Sequence, residues 1–317
     1  MAARKSWTIR PFQAGHDDAS IARLLLSVAT FDGSVAAWTE QALTAKLAQP
    51  QSQGGSSWRV AVANNAVVGA LLVSFVGTLR TEVVLAVNPA FRRQGIGRAL
   101  LEEAPPGRRL LCRSRESVPA ATALLTSAGF VERYRSALLR REASGIQRLE
   151  PEPGLRVVED PRSDARRAIV ALTSVLGEDA DDDRAWMKMR LARPRCKALY
   201  LEADDDAGTI DAGICLIAPC DRAKKGERTA SGEAVIGVLE EVGLMKSMRG
   251  KGLSRLLVRA GMRAIQDAGF RVVEASADRR RAAAVELYVK EGFDVVDEDI
   301  HWMRREDGPA PVHRGRT

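Results

Sequence analysis

Two short glycine loops and three side chains carry the residue types in this sequence that could do chemistry. Arg92-Arg93-Gln94-Gly95-Ile96-Gly97 and Arg249-Gly250-Lys251-Gly252-Leu253-Ser254 each follow an apolar run of strand type and each opens a helix-like stretch. A glycine turn at a helix start presents successive backbone N–H groups at the positive end of the helix dipole, an arrangement that attracts phosphate. Arg92, Arg93 and Arg98 flank the first loop, and Arg249, Lys251 and Arg255 the second, adding cations beside the same amides. Neither loop is a dinucleotide fingerprint, because Leu100 and Arg255 stand where a third glycine belongs, and Gly250-Lys251-Gly252 lacks the Ser or Thr of a Walker loop. The three side chains are Tyr288, Glu240 and Glu241. A phenol with an ordinary pKa of about 10 stays protonated at neutral pH and can give a proton to a leaving group. Glu240 and Glu241 lie on the strand before the second loop, and adjacent strand residues point to opposite faces, so one of the two carboxylates can face a pocket as a general base.

The elements that must position these groups are written twice. Arg249 stands 157 residues after Arg92, and Leu287-Tyr288-Val289-Lys290-Glu291-Gly292-Phe293 parallels Leu124-Leu125-Thr126-Ser127-Ala128-Gly129-Phe130 at an offset of 163 residues. Between the copies, Arg141 to Gly154 reads REASGIQRLEPEPG, a polar, proline-containing composition typical of a linker. The expected organisation is a first domain over 1–143, a linker over 144–154, a second domain over 155–308 and a tail over 309–317. In the first half, strands are expected at Trp7–Phe12, Trp58–Ala63, Val67–Val76, Glu82–Val87, Arg109–Arg113 and Val131–Leu139, with helices at Asp18–Ala29, Thr39–Ala48, Gly95–Ala104 and Ala120–Ala128. In the second half, strands are expected at Leu155–Val158, Ala198–Glu202, Thr209–Ala218, Ala234–Leu244, Arg271–Ser276 and Phe293–Met303, with helices at Ser163–Leu176, Asp183–Ala192, Gly252–Ala268 and Arg280–Glu291. Leu253, Leu256, Leu257, Ala260 and Ala264 form one apolar stripe along the third of these helices. The alternation of strands and helices predicts an α/β (α+β) fold in each half.

Composition removes several alternatives. With 317 residues, 45% hydrophobic and 28% charged, the chain is expected to be globular and to hold two domains. No apolar stretch approaches the roughly 20 residues of a membrane helix, the opening MAARKSWTIR has no apolar run, and a cytoplasmic protein without membrane partners is expected. Cys112, Cys196, Cys215 and Cys220 form no C-x-x-C pair, and His16, His301 and His313 form no H-E-x-x-H, which removes zinc and dithiol chemistry and leaves no metal expected. The net charge of +7 admits a phosphorylated ligand, while aromatics at 5% argue against a nucleic-acid stacking platform, so no nucleic-acid partner is expected.

The repeated residues resemble the GNAT superfamily of acyl-CoA-dependent N-acyltransferases, whose signature is Arg/Gln-x-x-Gly-x-Gly/Ala after the fourth strand. The first loop matches it, the second departs only at its last position, where Ser254 replaces Gly or Ala, and Leu287-Tyr288-Val289-Lys290-Glu291-Gly292-Phe293 matches the family's Leu-Tyr-x-x-x-Gly-Phe. The resemblance spans nearly the whole chain as two tandem domains. It implies a mixed, mostly antiparallel twisted sheet in each, splayed between strands 4 and 5 to admit acetyl-CoA, whose pyrophosphate the loops wrap. It also implies an oxyanion donor among the fourth-strand backbone amides around Val242 or Leu244, and direct acyl transfer in a ternary complex. The first copy has Leu125 where the tyrosine belongs and Val83-Val84-Leu85-Ala86 where the second has its acids. The second domain is therefore expected to be catalytic and the first a degenerate copy.

Glu178-Asp179-Ala180-Asp181-Asp182-Asp183 is an acidic run between the first two helices of the second copy, where GNAT folds border the acceptor pocket. Asp181, Asp182 and Asp183 there would draw a small cationic amine. A coenzyme A-binding regulator without turnover, and an acetyltransferase of protein lysines or N-termini, are the alternatives. A monomer or a homodimer is expected.

Overall fold

The structure, a computed structural model, describes residues 6–32, 57–76, 80–160, 165–176, 191, 195–205, 208–220 and 235–305. Two compact units divide the chain: Met1–Arg135 with Glu298–Thr317, and Ser136–Asp297. The first unit contains β1 (Thr8–Pro11), α1 (Asp18–Phe31), β2 (Ser57–Ala63), β3 (Ala66–Val76), β4 (Arg80–Val87), α2 (Ile96–Glu102), β5 (Arg109–Arg115) and α3 (Pro119–Ser127). The second contains β7 (Leu155–Asp160), α4 (Ala165–Leu176), β8 (Lys197–Asp205), β9 (Gly208–Pro219), β10 (Ile236–Leu244), α5 (Leu253–Asp267), β11 (Val272–Asp278) and α6 (Ala282–Lys290). Two further strands, β6 (Val131–Glu142) and β12 (Asp294–Arg304), each run from one unit into the other.

Each unit is an α/β arrangement around a mixed sheet. The first has the strand order β1-β2-β3-β4-β5-β12 and the second β7-β8-β9-β10-β11-β6. Within each unit the described neighbours are antiparallel except β4–β5 and β10–β11. The parallel pairs are short. Between β4 and β5 the ladder runs only from Arg80↔Arg109 to Glu82↔Leu111, and between β10 and β11 only from Ile236↔Val272 to Leu239↔Ala275. Both β4 and β10 continue past the last rung, so the expected splay is present in both units.

The periodicities explain the layers. In α5 the stripe of Leu253, Leu256, Leu257 and Ala264 is buried, together with Val258, Met262 and Ile265, against β9 and β10 residues such as Cys215, Ile217 and Leu239. Complete burial of a side chain such as Leu257 is worth about 1.5–3 kcal/mol. The opposite face of the same sheet is covered by α4, where Ala168, Ala171, Leu172 and Val175 meet Tyr200, Ile214 and Leu216. The expected helices at Thr39–Ala48 and Asp183–Ala192 lie outside the described residues, apart from Leu191.

The compact units do not coincide with the two halves of the sequence. Residues Ser136–Glu142 of β6 pair antiparallel with β11 in the second unit, and Asp299–Arg304 of β12 pair with β5 in the first. The segment expected as linker is also less exposed than its composition suggests, since Ala143 and Ile146 are buried in the second unit's core and the Ile146 carbonyl accepts from Arg263.

Candidate active site

At the end of β10 the chain makes a single 3-10 turn, Lys246–Met248, and then the glycine loop that opens α5. The first copy repeats this with a 3-10 turn at Pro89–Phe91 before α2. Neither turn was anticipated, although Asn88-Pro89 is a turn signal. The loops share one backbone path. Gly250 and Gly252 adopt φ of 80° and 77°, while Arg93 and Gly95 adopt 66° and 81°. Left-handed backbone favours glycine, so the second loop takes this path without strain and the first carries Arg93 in a conformation costly for a side chain. The helices behind them differ: α5 has 15 residues and α2 has 7. Gly252, at the N-cap of α5, supplies no side-chain cap, and a Cβ placed at Gly250 or Gly252 meets nothing within 4 Å. The second loop thus offers open backbone at the positive end of a long helix.

The arginines that open the two motifs are committed to the fold. Arg249 donates through Nε to the Leu244 carbonyl at 3.1 Å and through Nη2 to the Val175 carbonyl at 3.0 Å, tying the end of β10 to the end of α4. Arg92 donates to the Val87 carbonyl at 3.2 Å and forms a two-pronged pair with Asp32, both contacts at 2.8 Å. Arg255 is likewise engaged, by Glu291. Arg98 donates to the Ser127 carbonyl at 2.8 Å. Lys251, Arg93 and Gln94 remain exposed, whereas Ile96 and Leu253 are buried. Gly97 answers a packing need: its Cβ would lie 2.7 Å from Leu124 of α3.

The carboxylates occupy the point at which the sheet opens. Leu239↔Ala275 is the last rung between β10 and β11, and the register between β10 and β9 shifts between Leu239 and Glu241, so Glu240 sits in a β-bulge. Leu239 and Val242 both pack against the α5 side of the sheet, while Gly243 faces Val175 of α4. Alternating away from Leu239 on one side and Val242 on the other, Glu240 and Glu241 both project from the α4 side. The expectation that they point to opposite faces therefore fails, because it assumed an unbroken strand. The Met245 N–H bonds to Ala212 of β9 at 2.9 Å. By alternation, the Val242 and Leu244 amides turn away from β9, toward the side β11 has left.

Tyr288 lies on α6 and is buried, with Phe293 edge-on at 5.3 Å between ring centroids. Burial, reinforced by Cys215 and the Glu241 carboxylate, pushes its phenol well above the ordinary range. Burial likewise raises the Cys215 thiol, with Glu241 a further cause. Tyr288, Cys215 and Glu241 are thus within electrostatic reach of one another. Leu125, the counterpart of Tyr288, is also buried. Asp181, Asp182 and Asp183 lie outside the described residues. Sequence reasoning missed Glu291 and Arg259; the four-residue spacing of Arg255 and Arg259 was the available signal, since it puts two cations on one helix face.

Residues 54–132 match the family model described as the acetyltransferase (GNAT) domain. A mycothiol acetyltransferase from Geodermatophilus obscurus is 28% identical over 314 residues, covering 91% of this chain and 95% of that protein. Residues 54–132 belong to the GNAT family. A second mycothiol acetyltransferase, from Rhodococcus opacus, is 27% identical and covers 96% of this chain and 99% of its own. Among solved structures, a GCN5-related N-acetyltransferase from Sphaerobacter thermophilus superimposes with a TM-score of 0.70 at 20% identity, covering 95% of this chain and 96% of that one. A tandem GNAT protein from the clavulanic acid biosynthesis pathway gives 0.69 at 18% identity, covering 96% and 99%. These two likenesses concern the fold. The family model falls on the first copy, which carries the unsubstituted Gly-x-Gly loop, and not on the copy that holds Tyr288.

Proposed function

We propose that this protein is an acetyl-CoA-dependent N-acetyltransferase whose chemistry takes place in the second copy, with a small, cationic primary amine as acceptor. The observation that carries the reading is the coincidence, in that copy alone, of two carboxylates at the last rung between β10 and β11 with a buried phenol and an unstrained glycine loop. The loop fits a pyrophosphate through the backbone N–H groups from Lys251 to Ser254, with Lys251 as the exposed cation. Gly250, Gly252, Leu253 and Ser254 contribute backbone; Arg249 and Arg255 hold the loop's supports. Acetyl-CoA supplies an activated acetyl thioester.

The chain's own residues then have separate tasks. Glu240 or Glu241, at the mouth of the splay, accepts a proton from the ammonium form of the acceptor, directly or through water, so that the amine can attack. The amide of Val242, or of Leu244, donates to the carbonyl oxygen as negative charge develops there. Tyr288 gives its phenolic proton to the departing sulfur and is restored by the second proton that the acylated nitrogen loses; its raised pKa keeps the phenol protonated at neutral pH before transfer. Cys215 is a poor nucleophile because burial holds it as a thiol, which favours direct transfer over an acyl-cysteine intermediate. The first copy, with Leu125, Val83 and Val84 where the second has Glu240 and Glu241, and a seven-residue helix, braces the assembly or holds coenzyme A without turning it over.

The relatives' name suggests a second acceptor class, compounds related to mycothiol. An acetyl-CoA consumption screen against polyamines, aminoglycosides, basic peptide ends and mycothiol-type amines tests the reading. Turnover with one of these, strongly lowered but still measurable in Tyr288→Phe, is expected. Tight coenzyme A binding without turnover on any amine would support the regulatory alternative instead.

A further inference from the structure

Glu291 closes α6, three residues after Tyr288, and is buried, its side chain 2% exposed. It accepts from Arg255 Nε through Oε1 at 2.5 Å and from Arg259 Nε through Oε2 at 2.6 Å. Arg255 and Arg259 stand one turn apart on α5, the first of them three residues beyond the Gly252 cap. The carboxylate therefore bridges the helix that opens at the glycine loop and the helix that carries the phenol. Its backbone reaches the tyrosine too. The amides of Glu291 and Phe293 both bond to the Tyr288 carbonyl at 3.0 Å, and Arg141 donates to the Glu291 carbonyl.

The first copy lacks this clamp. Ala128 occupies the position of Glu291 and Glu102 that of Arg259, and Arg98, the counterpart of Arg255, bonds to the Ser127 carbonyl. The clamp and the phenol are thus present together in one copy and absent together from the other. A buried carboxylate shared by two arginines is no efficient way to stabilise a fold, since apolar packing of the same volume commonly does as well. Its distinctive property is a fixed geometry.

We propose that Glu291 is a positioning residue for transfer: it sets the distance between the loop that would hold the pyrophosphate and the phenol that would protonate the thiolate. This rests on the reading of Tyr288 given above. The pyrophosphate and the sulfur belong to one molecule, so an error in the spacing of their two protein contacts is not absorbed by rebinding. It appears at the reacting end.

The test is a double-mutant cycle in the full chain, using the acceptor found by the screen. Glu291→Gln preserves the side chain's size but removes its charge, and should lower kcat by about ten- to a hundredfold, as misplacement by about 1 Å does elsewhere. The Kd for coenzyme A, measured by calorimetry, should change by less than about threefold, because the loop amides are untouched. In a Tyr288→Phe background the same substitution should have no further effect on kcat, because the phenol it positions is gone. An undiminished kcat in Glu291→Gln, or a full additional loss in the Tyr288→Phe background, overturns the proposal. If Tyr288→Phe itself leaves kcat unchanged, the functional reading fails instead. Should Glu291→Gln prove insoluble, Arg259→Lys, which keeps the charge and removes the Nε donor, must show the same non-additivity with Tyr288→Phe.

Discussion

The pairing of β6 with β11 and of β12 with β5 is written in buried charges, and reversing those charges should reverse the pairing. Arg140 on β6 faces Glu274 on β11 with N and O 2.7 Å apart and side chains 15% and 7% exposed. Asp299 on β12 faces Arg115 on β5 at 2.9 Å, with exposures of 4% and 13%. The indole of Trp302 donates to Ser114 of β5 at 2.9 Å. If each strand instead joined the half of the sequence that precedes it, the 163-residue repeat would set Met303 opposite Glu274, Asp299 opposite Asp278, Arg140 opposite Leu111 and Ser136 opposite Arg115. Ala277 would replace Ser114, leaving the indole N–H without a hydroxyl. Breaking one buried pair costs about 3–5 kcal/mol, so two cost about 6–10, which rivals a typical domain's whole stability of about 5–15 kcal/mol. The perturbation is Ser136→Asp, Arg140→Met, Asp299→Ser and Met303→Arg together, which moves each strand's charge code onto the other. The assay places cysteines at Ala137, Ala277 and Ile300 in a chain freed of its native cysteines. Register partners across an antiparallel pair lie about 4.5–5.5 Å apart between Cα atoms, within disulfide reach. With wild-type charges a 137–277 disulfide is expected, and with the code reversed a 277–300 disulfide. A 137–277 disulfide that persists in undiminished yield after the reversal would refute the reasoning.

Three shorter predictions accompany it. Tyr288→Phe should lower kcat far more than affinity for coenzyme A, and the wild-type kcat should show no alkaline loss assignable to the phenol below about pH 10, because its pKa is raised and the proton is held longer; an alkaline limb between pH 7 and 9 that disappears in Tyr288→Phe would contradict this. Gly97→Leu should destabilise by about 1–3 kcal/mol in urea titration, because a long side chain there must enter the space Leu124 fills, so bulky residues at Gly97 report on packing rather than on ligand binding. Neutralising Asp181, Asp182 and Asp183 to Asn should raise KM for a cationic acceptor and flatten its salt dependence while KM for acetyl-CoA changes less; an acceptor KM that stays the same at low and high salt removes the acidic run from recognition.

Much of the fold was legible because it depends on local pattern. The alternating runs gave β2, β3, β9 and β12 to within two residues at either end, and the stripe of Leu253, Leu256 and Leu257 identified the buried face of α5. The loops were legible because only glycine takes their left-handed positions freely. Two features were not. The bulge at Glu240 is a mismatch between two strands and leaves no mark on β10 alone. The destination of β6 and β12 depends on which arginine meets which carboxylate, and such partners are 134 residues apart for Arg140 and Glu274. Periodicity reports what a strand buries and says nothing of its neighbour, so the cut at Arg141–Gly154 followed the repeat and missed the exchange.

The exchange bears on why a copy without obvious chemistry is retained. The second unit contains Tyr288, Glu240, Glu241 and the unstrained loop, yet its strand β6 reaches it from the first half of the sequence. Leu139 and Ala137 of that strand, together with Ala143 just beyond it, belong to the same hydrophobic core as Tyr288, Phe293 and Leu257. Arg141, also on β6, holds the Glu291 carbonyl and donates to the Ser144 carbonyl at 2.9 Å. A second half produced alone would have to supply its own β12 to β11, meeting Asp278 with Asp299 and Glu274 with Met303. The first half is therefore needed for the proposed active site irrespective of whether its own loop binds anything, and loss of Tyr and Glu from that half costs the fold nothing so long as β6 is kept.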